Sequence, residues 1–446
     1  MSLYKKSTIN GWQPQQLTIR DVKFATWIAF FAWVFAVYDF ILFGTLLPEI
    51  GNHFGWSEVE QAEIATWVAV GGAVIALAIG PLVDRLGRRL GIVITVGGAA
   101  ICSLLTAVGG AWGKGALTAI RSVAGLGYAE QTVNATYLTE LYAALDDPRL
   151  NRRKGFIYSL VQGGWPVGAL VASALTAILM PLIGWQGSFI FAALPSLVIA
   201  VLALKLKETP QFQVHQYIRQ LRQSGQVEDA RQVAQDYHIH YEEHQQAGLG
   251  AAFRGVSLRA TLVLGSAILI NWFAIQIFSV LGTTVITRTH DVSFSNSLLI
   301  LVLSNLVGYC GYLVHGWLGD RFGRRNTIAV GWMLGGVAFT GMLYSPDSFA
   351  IIVVLYSIGL FFLIGPYAAA LFFISESFPT AIRATAGALI GAMGPVGAIL
   401  AGIGTTSTLS SGGDWQQAAL WFGALPCFVS GIIILFARHV RAEDVK

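Results

Sequence analysis

Charged residues are scarce in this chain of 446 residues. Asp, Glu, Lys and Arg make up only 12% of it, whereas hydrophobic residues make up 55%. The mean hydropathy is +0.63. Soluble globular domains carry about 25% charged residues. The composition therefore excludes an ordinary soluble protein and indicates a chain whose surface is largely covered by lipid.

Cysteines and the short motifs of catalytic or cofactor sites are also nearly absent. Cys102, Cys310 and Cys427 stand far apart, without the paired spacing of a metal site or a disulfide framework. The patterns GxGxxG, CxxC and HExxH do not occur. We therefore expect no metal, no cofactor and no enzymatic activity.

Long apolar runs are what the chain does contain. A helix of about 20 apolar residues crosses the hydrocarbon core of a bilayer, and such runs recur along most of the sequence. The sequence therefore predicts an all-α membrane protein with twelve transmembrane helices. They are expected at 24–47, 60–83, 91–112, 115–142, 156–178, 187–206, 258–286, 295–318, 327–344, 348–375, 382–405 and 415–438.

Positive charge is distributed unevenly between the two ends of these helices. All but three of the 28 Lys and Arg residues lie in the terminal tails and the even-numbered loops; the exceptions are Lys114, Arg288 and Arg121. By the positive-inside rule, both termini of this multi-pass protein are expected on the cytoplasmic side of the cell inner membrane. The same asymmetry explains the net charge of +4, so nucleic acid is not an expected partner.

One ten-residue pattern occurs twice. GPLVDRLGRR (80–89) follows the second predicted helix and GWLGDRFGRR (316–325) follows the eighth, 236 positions later. The same offset relates Glu140 to Glu376, at the ends of the fourth and tenth predicted helices. A repeat of six helices predicts two parallel halves related by an axis along the membrane normal.

The repeat divides the chain into five parts. The sequence predicts a cytoplasmic tail at 1–23, a six-helix bundle at 24–206, a cytoplasmic linker at 207–257, a second bundle at 258–438 and a tail at 439–446. The linker is the one long polar stretch. Its apolar spacing predicts short amphipathic helices on the cytoplasmic face.

The doubled GxxxDRxGRR pattern resembles the cytoplasmic motif of the major facilitator superfamily, and the resemblance covers essentially the whole chain. It implies the major facilitator fold and transport by alternating access. The arginines of the pattern offer forked donors to carboxylates. We expect a cytoplasmic gate, closed when the site faces outward, formed by Asp84, Arg85, Arg88, Glu140, Asp320, Arg321, Arg324 and Glu376.

Three ionisable residues lie deep in predicted helices, where charge is costly and marks function. Asp39 in the first helix and Arg121 in the fourth are expected at similar depth, as an ion pair. Glu130 lies about 13 Å deeper at 1.5 Å per residue, near the midplane. A carboxylate that exchanges an arginine partner for a proton couples conformation to proton binding. The sequence therefore predicts proton coupling through these three residues.

The first helix carries a more specific resemblance. VYDFILFGTLLPEI (37–50) resembles the aromatic acid:proton symporter branch, where an Asp precedes an aromatic-aliphatic run ending in FGTxLP. That branch has a second Asp three residues earlier, where this chain has Ala36. RSVAGLG (121–127) resembles the superfamily's fourth-helix motif, whose Arg is associated with proton coupling. The segment 373–388 resembles the end of the tenth helix in the sugar and organic acid branches.

Polar and aromatic side chains at membrane depth outline the expected substrate cavity. Aromatic planes with a few amides suit a small ring or an aliphatic acid. Trp272 and Thr283 belong to this outline. The candidate substrate-binding residues are Arg121, Asn134, Tyr137, Gln162, Trp165, Asn271, Gln276, Asn305 and Tyr309.

The function predicted from these features is proton-coupled symport of a small organic anion, an aromatic or other monocarboxylate. The proton gradient would supply the energy, and Arg121 would be the fixed positive charge in the pathway. A monomer in the lipid bilayer is expected. Two alternatives stay open: a sugar or polyol symporter selective through Gln276 and Asn305, and an efflux antiporter for drugs or metabolites.

Overall fold

The computed structural model describes residues 12–144, 160–237, 253, 255–378 and 383–438, with side chains undescribed at 76, 77, 80, 81, 84, 143, 256, 320, 375, 383–385 and 388. The first half has six helices: α1 (Ile19–Phe54), α2 (Glu58–Leu86), α3 (Arg88–Gly109), α4 (Lys114–Val123 and Leu126–Ala144), and α5 and α6 (164–183 and 185–203, the two arms of Gly164–Ala203).

The linker and the second half follow in the same order as the sequence predicts. The linker contains α7 (Pro210–Gln223) and α8 (Val227–Asp236). The second half has α9 (Gly255–Ala274, Ile275–Val280 and Gly282–Thr289), α10 (Phe294–Phe322), α11 (Arg324–Leu343), α12 (Phe349–Ile364 and Tyr367–Glu376), α13 (Arg383–Ser410) and α14 (Trp415–Ala419, Leu420–Ala424 and Leu425–Leu435).

The helices of the described part are consistent with the twelve membrane helices that the sequence predicts. Nine of its helical stretches are long and apolar enough to cross a membrane. One of them, Leu160–Ala203, is divided by Gly184 at φ 68° into α5 and α6. The other two membrane helices are α2 and α4, and α4 is interrupted at Ala124 and Gly125.

Local sequence fixes where the first helices begin and end. Thr18 and Asp21 form a reciprocal capping box at the start of α1, so this helix begins inside the expected tail of 1–23. Ser57 and Glu60 form the same box at the start of α2. Gly55 ends α1 in the left-handed conformation, at φ 69°.

The doubled motif forms the same corner in both halves. Gly87 lies between α2 and α3 at φ 104°, and Gly323 lies between α10 and α11 at φ 89°. Only glycine adopts such angles without strain. The repeat seen in the sequence therefore reflects a repeated backbone turn.

The linker packs beside the start of α1. Trp12 stacks on Tyr217 of α7 with ring centroids 4.2 Å apart, and Lys207 pairs with Asp21 at 2.9 Å. We call this side of the molecule the linker side and the other the opposite side. The expected C-terminal tail at 439–446 and part of the expected linker, 238–252 and 254, lie outside the described residues.

The two halves contact each other on the opposite side. The Thr283 hydroxyl of α9 donates to the Thr45 carbonyl oxygen of α1 at 2.8 Å. Arg288, near the end of α9, pairs with Glu58 at the start of α2 at 3.2 Å. These contacts lie far from the linker along each helix, so the halves are joined there in this conformation.

Candidate functional site

A buried ion pair joins α1 to α4. Arg121 Nη1 donates to Asp39 Oδ1 at 3.2 Å, and Nη2 donates to Oδ2 at 3.1 Å. Nη2 also donates to the Asp39 carbonyl oxygen at 3.1 Å. The two side chains are 3% and 4% exposed. This forked geometry is the strong form of an arginine–carboxylate contact, so each charge is compensated inside the bundle.

The surroundings of the pair make it hard to separate. Ser103 of α3 donates to Asp39 Oδ1 at 2.5 Å. The guanidinium lies over the rings of Phe43 and Phe189, at 5.0 and 5.4 Å from their centroids. An unpaired charge in such an apolar setting costs several kcal/mol. The contact expected between Asp39 and Arg121 is present, and Arg121 can leave Asp39 only for another anion or after Asp39 is protonated.

Glu130 lies inside the first half rather than in a pathway between the halves. It is fully buried, and neither carboxylate oxygen has a hydrogen-bond partner among the described residues. It shares a face of α4 with Gly127, which packs near Ala36 of α1, and with Asn134, which donates to the Ala29 carbonyl oxygen. Helix depth alone predicts a midplane position but not this face.

Two cavities lie between the halves. The first, which we call the opposite-side cavity, is lined by Arg121 of α4, by Phe40 and Phe43 of α1, and by Gln276 of α9. Gln276 lies in the π-helical segment of α9. The buried ion pair therefore borders space into which a solute could bring an anionic group.

The second cavity, which we call the linker-side cavity, has aromatic and amide walls. It is lined by Trp165 of α5, Tyr312 of α10 and Tyr367 of α12, together with Gln131 and Gln162. Gln131 Nε2 donates to Gln162 Oε1 at 2.9 Å, which joins α4 to the start of α5. Flat rings with a few polar groups are typical of sites for small ring compounds.

One aromatic contact separates the two cavities. Tyr128 of the first half and Trp272 of the second half line both of them. Their rings meet edge to face at 5.5 Å, and Trp165 approaches Trp272 at 5.9 Å. Because the partners belong to different halves, a movement of one half against the other changes this barrier.

Four of the nine predicted substrate-binding residues line one of the two cavities, namely Arg121, Gln276, Gln162 and Trp165, and the other five do not. Asn134 donates to the Ala29 carbonyl oxygen at 2.7 Å, and the Tyr137 hydroxyl donates to the Lys207 carbonyl oxygen at 2.7 Å. They fasten α4 to α1 and to the start of the linker. In this conformation both make packing contacts, and their contact with substrate stays a prediction.

The three remaining predictions fall on the second half. Asn271 Nδ2 donates to Ser430 Oγ at 3.0 Å, and its Oδ1 accepts from the Tyr367 hydroxyl at 2.7 Å. It therefore positions a wall of the linker-side cavity without lining it. Asn305 donates to the Leu301 carbonyl oxygen within α10, and Tyr309 on the same helix lines neither cavity. A buried amide needs a partner, and here the helix itself supplies it.

Among the polar and aromatic residues that line the linker-side cavity, four were not predicted from the sequence: Tyr128, Gln131, Tyr312 and Tyr367. The sequence contains a feature that could have identified two of them. Tyr128 directly follows RSVAGLG, and Gln131 stands three residues later on the same helix face. Gln131 is also an amide at membrane depth, the signal that identified Gln276.

The arginines of the doubled motif form equivalent ion pairs in the two halves. Arg88 pairs with Glu140 at 3.1 Å, and Arg324 pairs with Glu376 at 2.9 Å. Each pair joins two helices of one half, α3 to α4 and α11 to α12, so neither bridges the halves. The side chains of Asp84 and Asp320 lie outside the described part.

The other two motif arginines face outward. Arg85 is exposed. Arg321 lies over the rings of Trp317 and Phe322, at 5.4 and 5.7 Å from their centroids. Among the hydrogen bonds and ion pairs of the described residues, neither Arg85 nor Arg321 contacts a carboxylate.

The linker is fastened to the gate residues of the first half. Thr209 Oγ1 donates to Glu140 Oε2 at 2.5 Å. The Glu208 carboxylate accepts the backbone N–H groups of Arg88 and Arg89, each at 3.1 Å. The Glu208 carboxylate therefore binds the N-terminus of α3, which is the positive end of the helix dipole.

Neutralising both gate glutamates, Glu140→Gln with Glu376→Gln, is expected to shift the resting population inward. The two pairs are mostly buried, and an effect of about 1–2 kcal/mol on the gate would change the population ratio by about 5- to 30-fold. A cysteine introduced at Leu47, in the opposite-side cavity, should then react more slowly with an impermeant maleimide added on the opposite side. Glu228→Gln, an exposed change on α8, is the matched control; equal labelling rates in all three proteins would contradict the gate.

Comparison with known proteins identifies relatives over nearly the whole chain. A family model described as Major Facilitator Superfamily matches residues 28–365 and 264–446. The niacin transporter NiaP of Acinetobacter baylyi is 23% identical over 445 residues, with 94% of each chain covered. The 4-hydroxybenzoate transporter PcaK of Pseudomonas aeruginosa is 26% identical, covering 91% of this chain and 90% of that protein.

Solved structures show the same fold. The D-xylose-proton symporter superposes with a TM-score of 0.69 and covers 94% of this chain and 98% of its own. The sequence identity is 16%. At this sequence identity the similarity establishes the arrangement of helices only. The solute has to be inferred from the residues of the site.

Proposed function

We propose that this chain, which belongs to the Major Facilitator Superfamily, carries small ring-bearing monocarboxylic acids across the membrane together with protons. Like the members of its family and its relatives, it is a multi-pass membrane transporter and not an enzyme. Niacin and 4-hydroxybenzoate, named for two relatives, are both aromatic monocarboxylic acids. We extend that solute class to this chain.

The Asp39–Arg121 pair is the observation that carries the proposal. Both Nη groups of Arg121 are engaged by Asp39, so a solute carboxylate competes with Asp39 for the same donors. Protonating Asp39 removes its negative charge and frees the guanidinium. Loss of the proton restores the pair and displaces the solute, so the solute and the proton bind together and leave together.

The linker-side cavity supports the ring-bearing part of the proposal. Trp165, Trp272 and Tyr128 present flat apolar surfaces to it. Their area favours an aromatic ring over a sugar, which needs many more polar partners. The proposal includes a cytoplasmic linker side, uptake as the direction of transport and a monomer as the working unit.

Counterflow in proteoliposomes tests this solute class. Vesicles loaded with unlabelled solute take up labelled 4-hydroxybenzoate, and nicotinate, benzoate, hexanoate and xylose compete from outside. We expect the two aromatic acids, nicotinate and benzoate, to compete strongly, hexanoate weakly and xylose not at all. Competition by xylose alone would replace the proposal with the sugar alternative.

A further inference from the structure

The linker-side cavity contains no charged side chain among the described residues that line it. Its walls are the rings of Tyr128, Trp165, Trp272 and Tyr367, the amides of Gln131 and Gln162, and aliphatic groups. The cavity lies at membrane depth, where a charged group without a partner carries a large desolvation penalty. A carboxylate anion held there would carry that penalty.

The nearest candidate cation is committed elsewhere. Arg121 lines the opposite-side cavity and donates to Asp39 through both Nη groups. The Tyr128–Trp272 ring contact, at 5.5 Å, lies between that cavity and the linker-side cavity. In this conformation Arg121 is therefore not available to a solute in the linker-side cavity.

The amide pair matches an uncharged head group. Its internal hydrogen bond uses Gln131 Nε2 and Gln162 Oε1. The pair's other two atoms are the Gln131 oxygen, an acceptor, and the Gln162 nitrogen, a donor. A carboxamide or a protonated carboxyl group also offers one donor and one acceptor side by side, whereas a carboxylate offers acceptors only. A carboxylate that met both of these atoms would place one of its oxygens against the Gln131 oxygen.

We propose that the linker-side cavity binds the ring-bearing solute through an uncharged polar head group on the Gln131–Gln162 pair and disfavours the carboxylate anion. This rests on the proposed function, since it assumes a ring-bearing solute. It assigns the two sides of the molecule different tasks: Arg121 attracts the anion on the opposite side, and the charge-free cavity holds it weakly on the linker side. Weak binding there favours release of an acid brought in as its anion.

The experiment compares benzamide with benzoate, which have the same ring and differ in head-group charge. Binding to purified full-length protein at neutral pH is followed by quenching of tryptophan fluorescence, because Trp165 lines the linker-side cavity and not the opposite-side cavity, whereas Trp272 lines both. We expect benzamide to bind at least about tenfold more tightly than benzoate, a difference of ~1.4 kcal/mol.

Two variants place a cation in the cavity. Gln162→Lys and, independently, Gln131→Lys are expected to reverse the preference so that benzoate binds more tightly than benzamide. Gln131 is only half-buried, so this second variant tolerates the new charge if the first fails to fold. Gln232→Lys, an exposed change on α8, adds the same charge elsewhere and should keep the wild-type preference.

The outcomes separate this inference from the proposed function. Equal or tighter binding of benzoate in the wild type would overturn the inference, while competition by aromatic acids in counterflow would still support the function. Failure of both compounds to bind also overturns it. If aromatic acids fail to compete in counterflow as well, the proposed function falls with it.

Discussion

Replacing Asp39 by Asn is expected to abolish uphill accumulation of solute while preserving counterflow exchange. The wild type should accumulate an acid up to about tenfold per unit of imposed pH difference if one proton accompanies it, because one pH unit is worth ~1.36 kcal/mol. The asparagine side chain is nearly isosteric with Asp39 but carries no exchangeable acidic proton. The accumulation ratio of the variant should therefore fall to about one.

The substitution leaves Arg121 without its anionic partner, a change that can destabilise the fold. Preserved counterflow is therefore the evidence that the variant is folded. Asp229→Asn, a change at a half-buried position on α8, is the matched control and should accumulate solute as the wild type does. Concentrative uptake by Asp39→Asn would show that another group carries the proton.

Replacing Arg121 by Gln is expected to remove nearly all binding and uptake of aromatic acids. If Arg121 alternates between Asp39 and the solute carboxylate, acid binding to the wild type should strengthen as the pH falls, because protonating Asp39 frees the guanidinium. Arg121→Lys keeps the charge but loses the fork, so it should weaken acid binding by about 1–3 kcal/mol. Binding measured at an acidic and a neutral pH separates the three proteins.

An uncharged ring compound provides an internal control for this variant. Benzamide binding in the linker-side cavity does not use Arg121, so Arg121→Gln should retain it. Arg219→Gln, an exposed change on α7, should leave both compounds unaffected. If Arg121→Gln binds the aromatic acid as tightly as the wild type does at either pH, Arg121 does not contact the solute carboxylate.

Helix depth was the part of the site that the sequence could predict. Asp39 and Arg121 were placed at one level by counting residues along two helices that run in opposite directions, and they are in contact. The 236-residue offset likewise relates Arg88 to Arg324 and Glu140 to Glu376, and the Arg88–Glu140 and Arg324–Glu376 ion pairs lie in equivalent positions of the two halves. A fixed rise per residue and an internal repeat are properties that a sequence carries directly.

Helix rotation was the part that the sequence could not predict. Asn134 and Gln131 lie three residues apart on α4, yet the first packs against α1 and the second lines a cavity. Polarity shows only that each amide needs a partner. The partner of each amide depends on the rotation of α4 about its axis relative to the neighbouring helices. Because α4 is interrupted at Ala124 and Gly125, its rotation cannot be predicted from the periodicity of the sequence.

The packing of α10 gives a second example. Asn305 and Tyr309 were expected in the cavity, but Tyr312, three residues after Tyr309, is the side chain that lines it. The sequence therefore predicted that this helix borders the cavity, but it did not identify which of its residues reaches it. Contacts between distant segments decide this, and a single sequence does not contain them.

Solute-evoked proton movement tests the central claim most directly. Proteoliposomes at equal internal and external pH, with a trapped pH-sensitive dye, receive an aromatic acid from outside, and protein-free liposomes correct for passive entry of the neutral acid. The account predicts protein-dependent acidification of the lumen that follows uptake of the acid and is lost in Asp39→Asn. Uptake of the acid by the wild type without any protein-dependent acidification would contradict it.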